Sequence, residues 1–461
     1  MQDENKMAVT PIGKLICQMS VPPLISMFLQ YSYNLVDSIF VARLSENALT
    51  AVSLSFPITT LMNAASIWIG VGVNVLIAGY LGGKAQDKAD SVVTHGILLS
   101  FVVGALLNIL SLLIMKPYFL AFSSNEEIYK LSIAYMSICS FMQIPNMVHI
   151  AIQKIIQATG NMVAPMWFQI AGVVVNFILN PILIFGIGTF PAMGICGSAL
   201  ATVAGYLVSM ILAFALLLGT KQKVQLKIKG VHWQKQIIGK IFALGLPSFI
   251  MNALSSFMVT FVNLFLAAYS ATAIAFFGAY FKIQQLIVMT VNGLIQGCLP
   301  VMSFNYGAKN RERLHLAFSY GTILVVIMMI IGTIVVIVYP SKILKLFAAS
   351  DEMCSFGISA MRIMAASYLF CGISTMISTY FQATEKVLLS IGIQLCRQLI
   401  LFVPVLWCLD KLLQMNGIWL AFPVTEGITL TFAIVLIVLG CYCNNHSIFK
   451  FLTEQFKQEK S

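Results

Sequence analysis

The chain is 461 residues long, 59% hydrophobic and only 9% charged, with a mean hydropathy of +0.92. Soluble domains carry about a quarter of their residues as charges, so this composition excludes a soluble globular protein and points to a chain whose core solvent is lipid. The net charge of +11 is no nucleic-acid footprint, because the basic residues fall in alternate loops between apolar runs instead of forming one patch.

Residues 1–14 are polar and mixed in charge and lack a short apolar region followed by a small-residue cleavage site. The first span is therefore expected to stay as an anchor. Apolar runs of about 20 residues or more predict twelve spans: 16–41, 50–79, 92–115, 128–155, 163–187, 195–218, 240–268, 273–303, 317–339, 355–383, 388–409 and 417–441. Eighteen of the 27 basic residues fall on the side of the N-terminus, six fall on the other, and Lys282, Arg362 and Arg397 lie inside spans. The positive-inside rule then places both termini in the cytoplasm of a multi-pass protein of the cell membrane.

The most basic loop, Thr220 to Lys240, divides the chain into a six-span lobe over 1–219, a cytoplasmic linker over 220–239 and a second lobe over 240–461. The halves are copies. At an offset of 225, Pro22 meets Pro247, Gly72 meets Gly297, Gly82 meets Gly307, Lys84 meets Lys309, and Gln157-Ala-Thr159 meets Gln382-Ala-Thr384. Six spans is an even number, so both copies enter from the same side and form a parallel repeat about an axis along the membrane normal. The predicted fold class is an all-α polytopic membrane protein, with twelve transmembrane helices in two six-helix lobes related by a pseudo-twofold axis.

On the first span Gln30, Tyr33, Asn34 and Asp37 recur at three- and four-residue steps and form one polar stripe. A helix-packing stripe is the plain reading. A charge at the centre of a spanning helix, however, costs about 2.5 to 3.5 kcal/mol on insertion scales, and packing gains little from a carboxylate. On the fifth span Asn176 and Asn180 lie one turn apart, and Pro181 frees a backbone carbonyl nearby. Thr202 closes the small-residue run Gly194 to Thr202 at the start of the sixth. A carboxylate among amide and hydroxyl groups can load a proton on one side of the membrane and release it on the other. The same oxygens suit sodium; the proton is the expected coupling ion, ahead of sodium.

In the second half the counterpart stripe is Ser256, Thr260 and Asn263, with no acid. That half carries Lys282, Arg397 and Glu426 instead, each about nine residues from its span's end and so about 13 Å deep at 1.5 Å per residue. Comparable depth permits pairing; if Lys282 and Glu426 are the pair, their removal should look alike. A structural ion pair plus one snorkelling base is an equal reading. Among the 24 methionines, Met251, Met258, Met289 and Met376 add soft side chains that suit a pocket accepting many shapes, although most methionines simply fill cores. Gln30, Ser256, Asn263, Lys282, Met289 and Glu426 are the expected cavity-lining residues.

The ten cysteines show no paired spacing, and Cys441-Tyr-Cys443 fits two small apolar residues better than a metal site. Only His149 of the five histidines is well inside a span, and no HExxH, phosphate loop or nucleophile elbow occurs. No enzyme chemistry, metal or cofactor is expected.

Several segments carry a family resemblance in order: Pro22 with the Asp37 segment and Phe40-Val-Ala42, Tyr80-Leu-Gly-Gly83, Gln157-Ala-Thr-Gly160, Asn176 to Gly186, Gly194 to Thr202, and Tyr280-Phe-Lys-Ile to Gly297 and Pro300, ending in Tyr306-Gly-Ala-Lys309. On these the chain resembles the multidrug and toxic compound extrusion (MATE) transporters over essentially its whole length. The resemblance implies two lobes forming a V around a cavity, and alternating-access antiport that exports amphipathic, often cationic drugs against protons or sodium. It maps the family's first-helix acid onto Asp37, and the polar cluster of the proton-coupled, DinF-like branch onto Tyr33, Asn176, Asn180 and Thr202. The chain departs from the family pattern in having Asn180 where Asp is common. It also has Ser255 and Cys371 where the sodium-coupled branch has a Glu and an Asp. The alternative is an exporter or flippase of a lipid-linked or metabolite substrate on the same fold. Expected partners are small amphipathic molecules and membrane lipids, with no nucleic acid and one chain acting alone.

Overall fold

The computed structural model describes residues 5–122, 125–188, 190–219, 222–227, 233–346 and 351–442; within the helices a few side chains, those of Tyr33, Asn34 and Ser256 among them, lie outside the described residues, as does Cys443. The described chain is helical, with no strand. A four-residue helix α1 (Lys6–Val9) leads into α2 (Ile12–Ala42), α3 (Glu46–Gly82), α4 (Gln86–Phe122), α5 (Glu126–Phe141), α6 (Gln143–Ala158), α7 (Val163–Phe185) and α8 (Ile195–Gly219). Beyond the basic loop come α9 (Lys235–Leu266), α10 (Ala271–Gly307), α11 (Arg311–Val338), the short α12 (Pro340–Leu346), α13 (Asp351–Ala365), α14 (Ser367–Ala383), α15 (Val387–Leu395), a π-turn Cys396–Ile400, α16 (Phe402–Leu413) and α17 (Met415–Tyr442).

Among the described residues eleven helices are long and apolar enough to cross a membrane; α5 and α6, bent by 41° at Met142, make twelve when taken as one span. Large apolar side chains point outward along them, such as Leu113 at 69% and Leu264 at 68% exposure, as lipid-facing surfaces require. The seventh span starts at Lys235, five residues before the predicted 240.

The repeat is kept at the starts of three helix pairs. Helix α3 starts at Glu46 and α10 at Ala271, α4 at Gln86 and α11 at Arg311, α5 at Glu126 and α13 at Asp351, each pair 225 apart. Local hydrogen bonds repeat with them: Asn47 donates to Glu127 at 2.7 Å, and Thr272 to Glu352 at 3.4 Å. Lys84 and Lys309 both adopt φ +57°, the left-handed conformation that ends a helix and that side-chain-bearing residues seldom accept.

The chain forms two compact units, Met1–Ala253 with Asn292–Lys309, and Leu254–Val291 with Asn310–Ser461. The cut between them runs through α9 and α10 and not through the basic loop. In the first unit the lower parts of α9 and α10 meet α3 without side chains between them. A Cβ at Gly82 would lie 1.9 Å from the Phe304 carbonyl oxygen, and one at Gly307 would lie 1.9 Å from that of Gly79. These two contacts are each other's images at the 225-residue offset. Only glycine permits so close a backbone approach.

Two polar features fix the same unit. Lys154, which charge counting groups with the cytoplasmic basic residues, is 7% exposed on α6 and donates to Gln157 at 3.1 Å and Gln296 at 2.7 Å. Residues 222–227 of the basic loop are strapped to the start of α4. Buried Asp90 accepts from the Gln225 backbone N–H at 2.9 Å and pairs with Lys227 at 2.9 Å. That carboxylate holds the exposed Lys227 ammonium above its ordinary pKa.

Candidate functional site

Asp37 lies near the C-terminal end of α2, facing α7 and α8. Its Oδ1 accepts from the Asn180 amide at 2.5 Å and from the Ser198 hydroxyl at 2.8 Å. One turn away along the same two helices, Asn176 donates to the Thr202 hydroxyl at 3.1 Å. Glycine makes this reach possible. A Cβ at Gly197 would meet the Leu183 carbonyl group at 2.5 Å, and one at Gly205 would meet the Gly172 oxygen at 2.7 Å. The two backbones therefore touch, and short amide and hydroxyl side chains can span the gap. Helix α7 keeps Pro181 inside it and ends at Gly186 with φ +73°. Its deep asparagines thus sit on one face, with 3% and 1% exposure at Asn176 and Asn180.

Beside the pair of Asn176 and Thr202 lies a small cavity of about 30 Å³, lined by Gln30, His149, Gln169, Asn176, Thr202 and Tyr206 among others. A relay of amides edges it: Gln153 donates to Gln169 at 3.0 Å, and Gln169 donates to Gln30 at 2.9 Å. His149 is tied to the Asn146 carbonyl oxygen at 2.9 Å and packs its ring against Tyr206.

In the second unit a different site forms where the π-turn meets α14 and α17. Arg397 pairs through Nε with Glu426 Oε1 at 2.6 Å. Its Nη1 donates to the Thr375 hydroxyl and its Nη2 to the Cys371 sulfur, each at 2.6 Å. The two charged side chains keep 12% and 14% exposure. Glu426 Oε2 is buried and accepts no hydrogen bond among the described residues.

The MatE family model matches residues 22–182 and again residues 247–408, two blocks whose starts lie 225 residues apart. The chain belongs to the MatE family. Its relatives include the FAD transporter of Shewanella oneidensis, 25% identical over 443 residues and 96% of each chain. Another is the multidrug export protein MepA of Staphylococcus aureus strain N315, 25% identical over 437 residues, 93% of this chain and 94% of that one. Among solved structures, a MOP superfamily transporter from Pyrococcus furiosus superposes with a TM-score of 0.90 at 22% identity, covering 97% of this chain and all of that one. A multidrug resistance MATE transporter in an outward-facing conformation gives 0.89 at 22% identity over 96% of this chain and 99% of that one. At such identity the superpositions establish the fold. The chain is thus a multi-pass membrane transporter of the MatE family, built on the predicted two-lobe repeat.

Within this MatE fold the residues chosen from sequence divide into groups. Asp37, Asn180, Asn176 and Thr202 do come together, and Gln30 meets Asn176 and Thr202 at the cavity. The side chains of Tyr33, Asn34 and Ser256 fall outside the described residues. Met289 is buried at 9% exposure, and Asn263 is half-buried with its Oδ1 sealed from solvent. The sequence left the partner of Glu426 open between Lys282 and Arg397: the partner is Arg397, while Lys282 is exposed on α10. Depth along the helices made both pairings admissible, and only the direction of the side chains decides between them.

Ser198 was missed, although it lies four residues before Thr202 and so on the same helix face. In the run Gly194 to Thr202 it passes for one more small packing residue. Cys371 and Thr375 were missed as partners of Arg397 because the π-turn adds a residue to the helical circuit and turns Arg397 out of the register that a 3.6-residue period assigns.

Proposed function

We propose that this protein is a secondary active antiporter of the plasma membrane, with both termini cytoplasmic, that exports amphipathic compounds in exchange for protons and works as a single chain. The observation that carries the reading is Asp37, a carboxylate in a spanning helix held, among the described residues, by the neutral donors Asn180 and Ser198. A carboxylate so placed can be neutralised by one proton without stranding a partner charge. Asn180 offers a way to follow that change: its Oδ1 is buried and accepts no hydrogen bond among the described residues. Half a turn of the amide presents this oxygen to a protonated Asp37. Sodium would need both neighbours turned so that their oxygens, and not their N–H and O–H groups, face the ion beside the carboxylate. Exchange follows if the proton and the exported compound stabilise different conformations. Relatives named for multidrug export support the substrate class.

The test is ethidium efflux from proteoliposomes under a proton gradient alone and then a sodium gradient alone. Efflux driven by protons and abolished in Asp37→Asn is expected. Undiminished uphill efflux in Asp37→Asn would falsify the assignment, and efflux under sodium alone would transfer the coupling role to that ion.

A second reading, export of a metabolite, draws on the FAD transporter among the relatives. Flavin movement through the same proteoliposomes, with ethidium ignored, would favour it.

A further inference from the structure

We propose that Arg397 is a docking point for an anionic group, phosphate or carboxylate, on the transported compound, and that Glu426 competes with that group for its charge. The proposal rests on the transport reading above and narrows its substrate class to amphiphiles that include anions.

The argument starts from what a guanidinium requires. It offers five N–H donors in a planar fork, and its best partner is a carboxylate or phosphate taken by two parallel bonds. Arg397 does not have that partner. Glu426 reaches only the Nε, through one oxygen, and its second oxygen is buried without a hydrogen bond. The outer fork, Nη1 and Nη2, rests on the Thr375 hydroxyl and the Cys371 sulfur, a neutral acceptor and a weak one. The contact is single-pronged, and the two side chains keep 12% and 14% exposure.

The position is also maintained at a cost to helix regularity. Arg397 is the second residue of the π-turn Cys396–Ile400, a distortion that recurs at functional positions in helices. The neighbouring Leu399 and Ile400 are exposed, so the turn sends the apolar residues outward and the guanidinium towards α14 and α17. No other acid pairs with Arg397 among the described residues. An arriving anion would therefore take Nη1 and Nη2 from Thr375 and Cys371, and Glu426 would be left as the competitor for the remaining charge. Neutralising Glu426 removes that competitor.

The test uses the full-length protein purified in detergent. The probes are flavin mononucleotide for phosphate, fluorescein for carboxylate, and riboflavin as the flavin without a charge; binding is followed by their own fluorescence. Each variant is judged by its ratio of anionic to uncharged affinity, which cancels general loss of active protein. The wild type is expected to bind at least one of the two anions about tenfold more tightly than riboflavin. Glu426→Gln should raise that ratio about fivefold. The double variant Arg397→Gln with Glu426→Gln, which leaves no unpaired charge behind, should bring the ratio close to one. Which of the two anions depends on Arg397 identifies the group recognised. An unchanged ratio in the double variant, a lowered ratio in Glu426→Gln, or no preference in the wild type overturns the proposal. Proton-driven ethidium efflux by the wild type is measured separately, so failure here and failure of the antiport reading are distinct results.

Discussion

The two polar sites of this protein solve the same problem, a charge among spanning helices, in opposite ways. Asp37 is surrounded by neutral groups on helices that touch backbone to backbone. Arg397 and Glu426 are held by each other across a π-turn. The first arrangement can lose its charge by gaining one proton and remain satisfied. The second cannot lose either partner alone without stranding the other. A lone acid suits a step that must reverse in every cycle, and a pair suits a position that must stay charged until something takes one partner's place.

The sharpest way to break this contrast is Arg397→Ala. Removing one member of a buried pair typically costs about 3–5 kcal/mol, so this variant should melt far below the wild type in detergent. Arg397→Met combined with Glu426→Met should recover most of the loss. A single variant as stable as the wild type would mean that the pair is not buried in any energetic sense.

Next in size is Gly197→Leu, which forces α8 away from Leu183 and carries Ser198 from Asp37. Overpacking of this kind costs about 1–3 kcal/mol. The melting temperature and proton-driven efflux should fall together. Ser198→Ala is milder, removing one of two hydrogen bonds for about 1 kcal/mol; efflux should slow by a few-fold with the melting temperature nearly unchanged. Loss of all efflux would make Ser198 an equal of Asp37.

The smallest effect is expected from Lys282→Ala, an exposed position where stability should move by no more than about 0.5 kcal/mol. Comparison with Glu426→Ala in the same melting assay should give clearly different results, since the two are not partners.

Much of the fold was legible in the sequence because lipid simplifies the alphabet. Twelve apolar runs and an offset kept from Pro22 to Thr384 are long-range signals that survive local irregularity. The Asp37 cluster was legible for a related reason: Asn176 and Asn180, and the run ending in Thr202, are polar or small where everything around them is large and apolar. What stayed hidden depended on geometry that has no period. Arg397 could not be assigned to Glu426 over Lys282 from depth alone, and the π-turn that settles it leaves no mark in composition. The break at Met142, which splits one predicted span into α5 and α6, does leave a local mark in Gln143, Pro145 and Asn146, but the apolar residues on either side are enough to carry one span across it.

The glycine contacts between α3 and α10 also bear on how the protein is made. Gly82 leaves the ribosome 225 residues before Gly307, its partner in the paired contacts. At about 5–20 residues per second, α3 waits roughly 10 to 45 s in the bilayer before Gly307 arrives. Assembly of the first unit is therefore completed only after most of the chain has been inserted, and residues 1–219 expressed alone should be degraded faster than the same segment supplied together with residues 220–461.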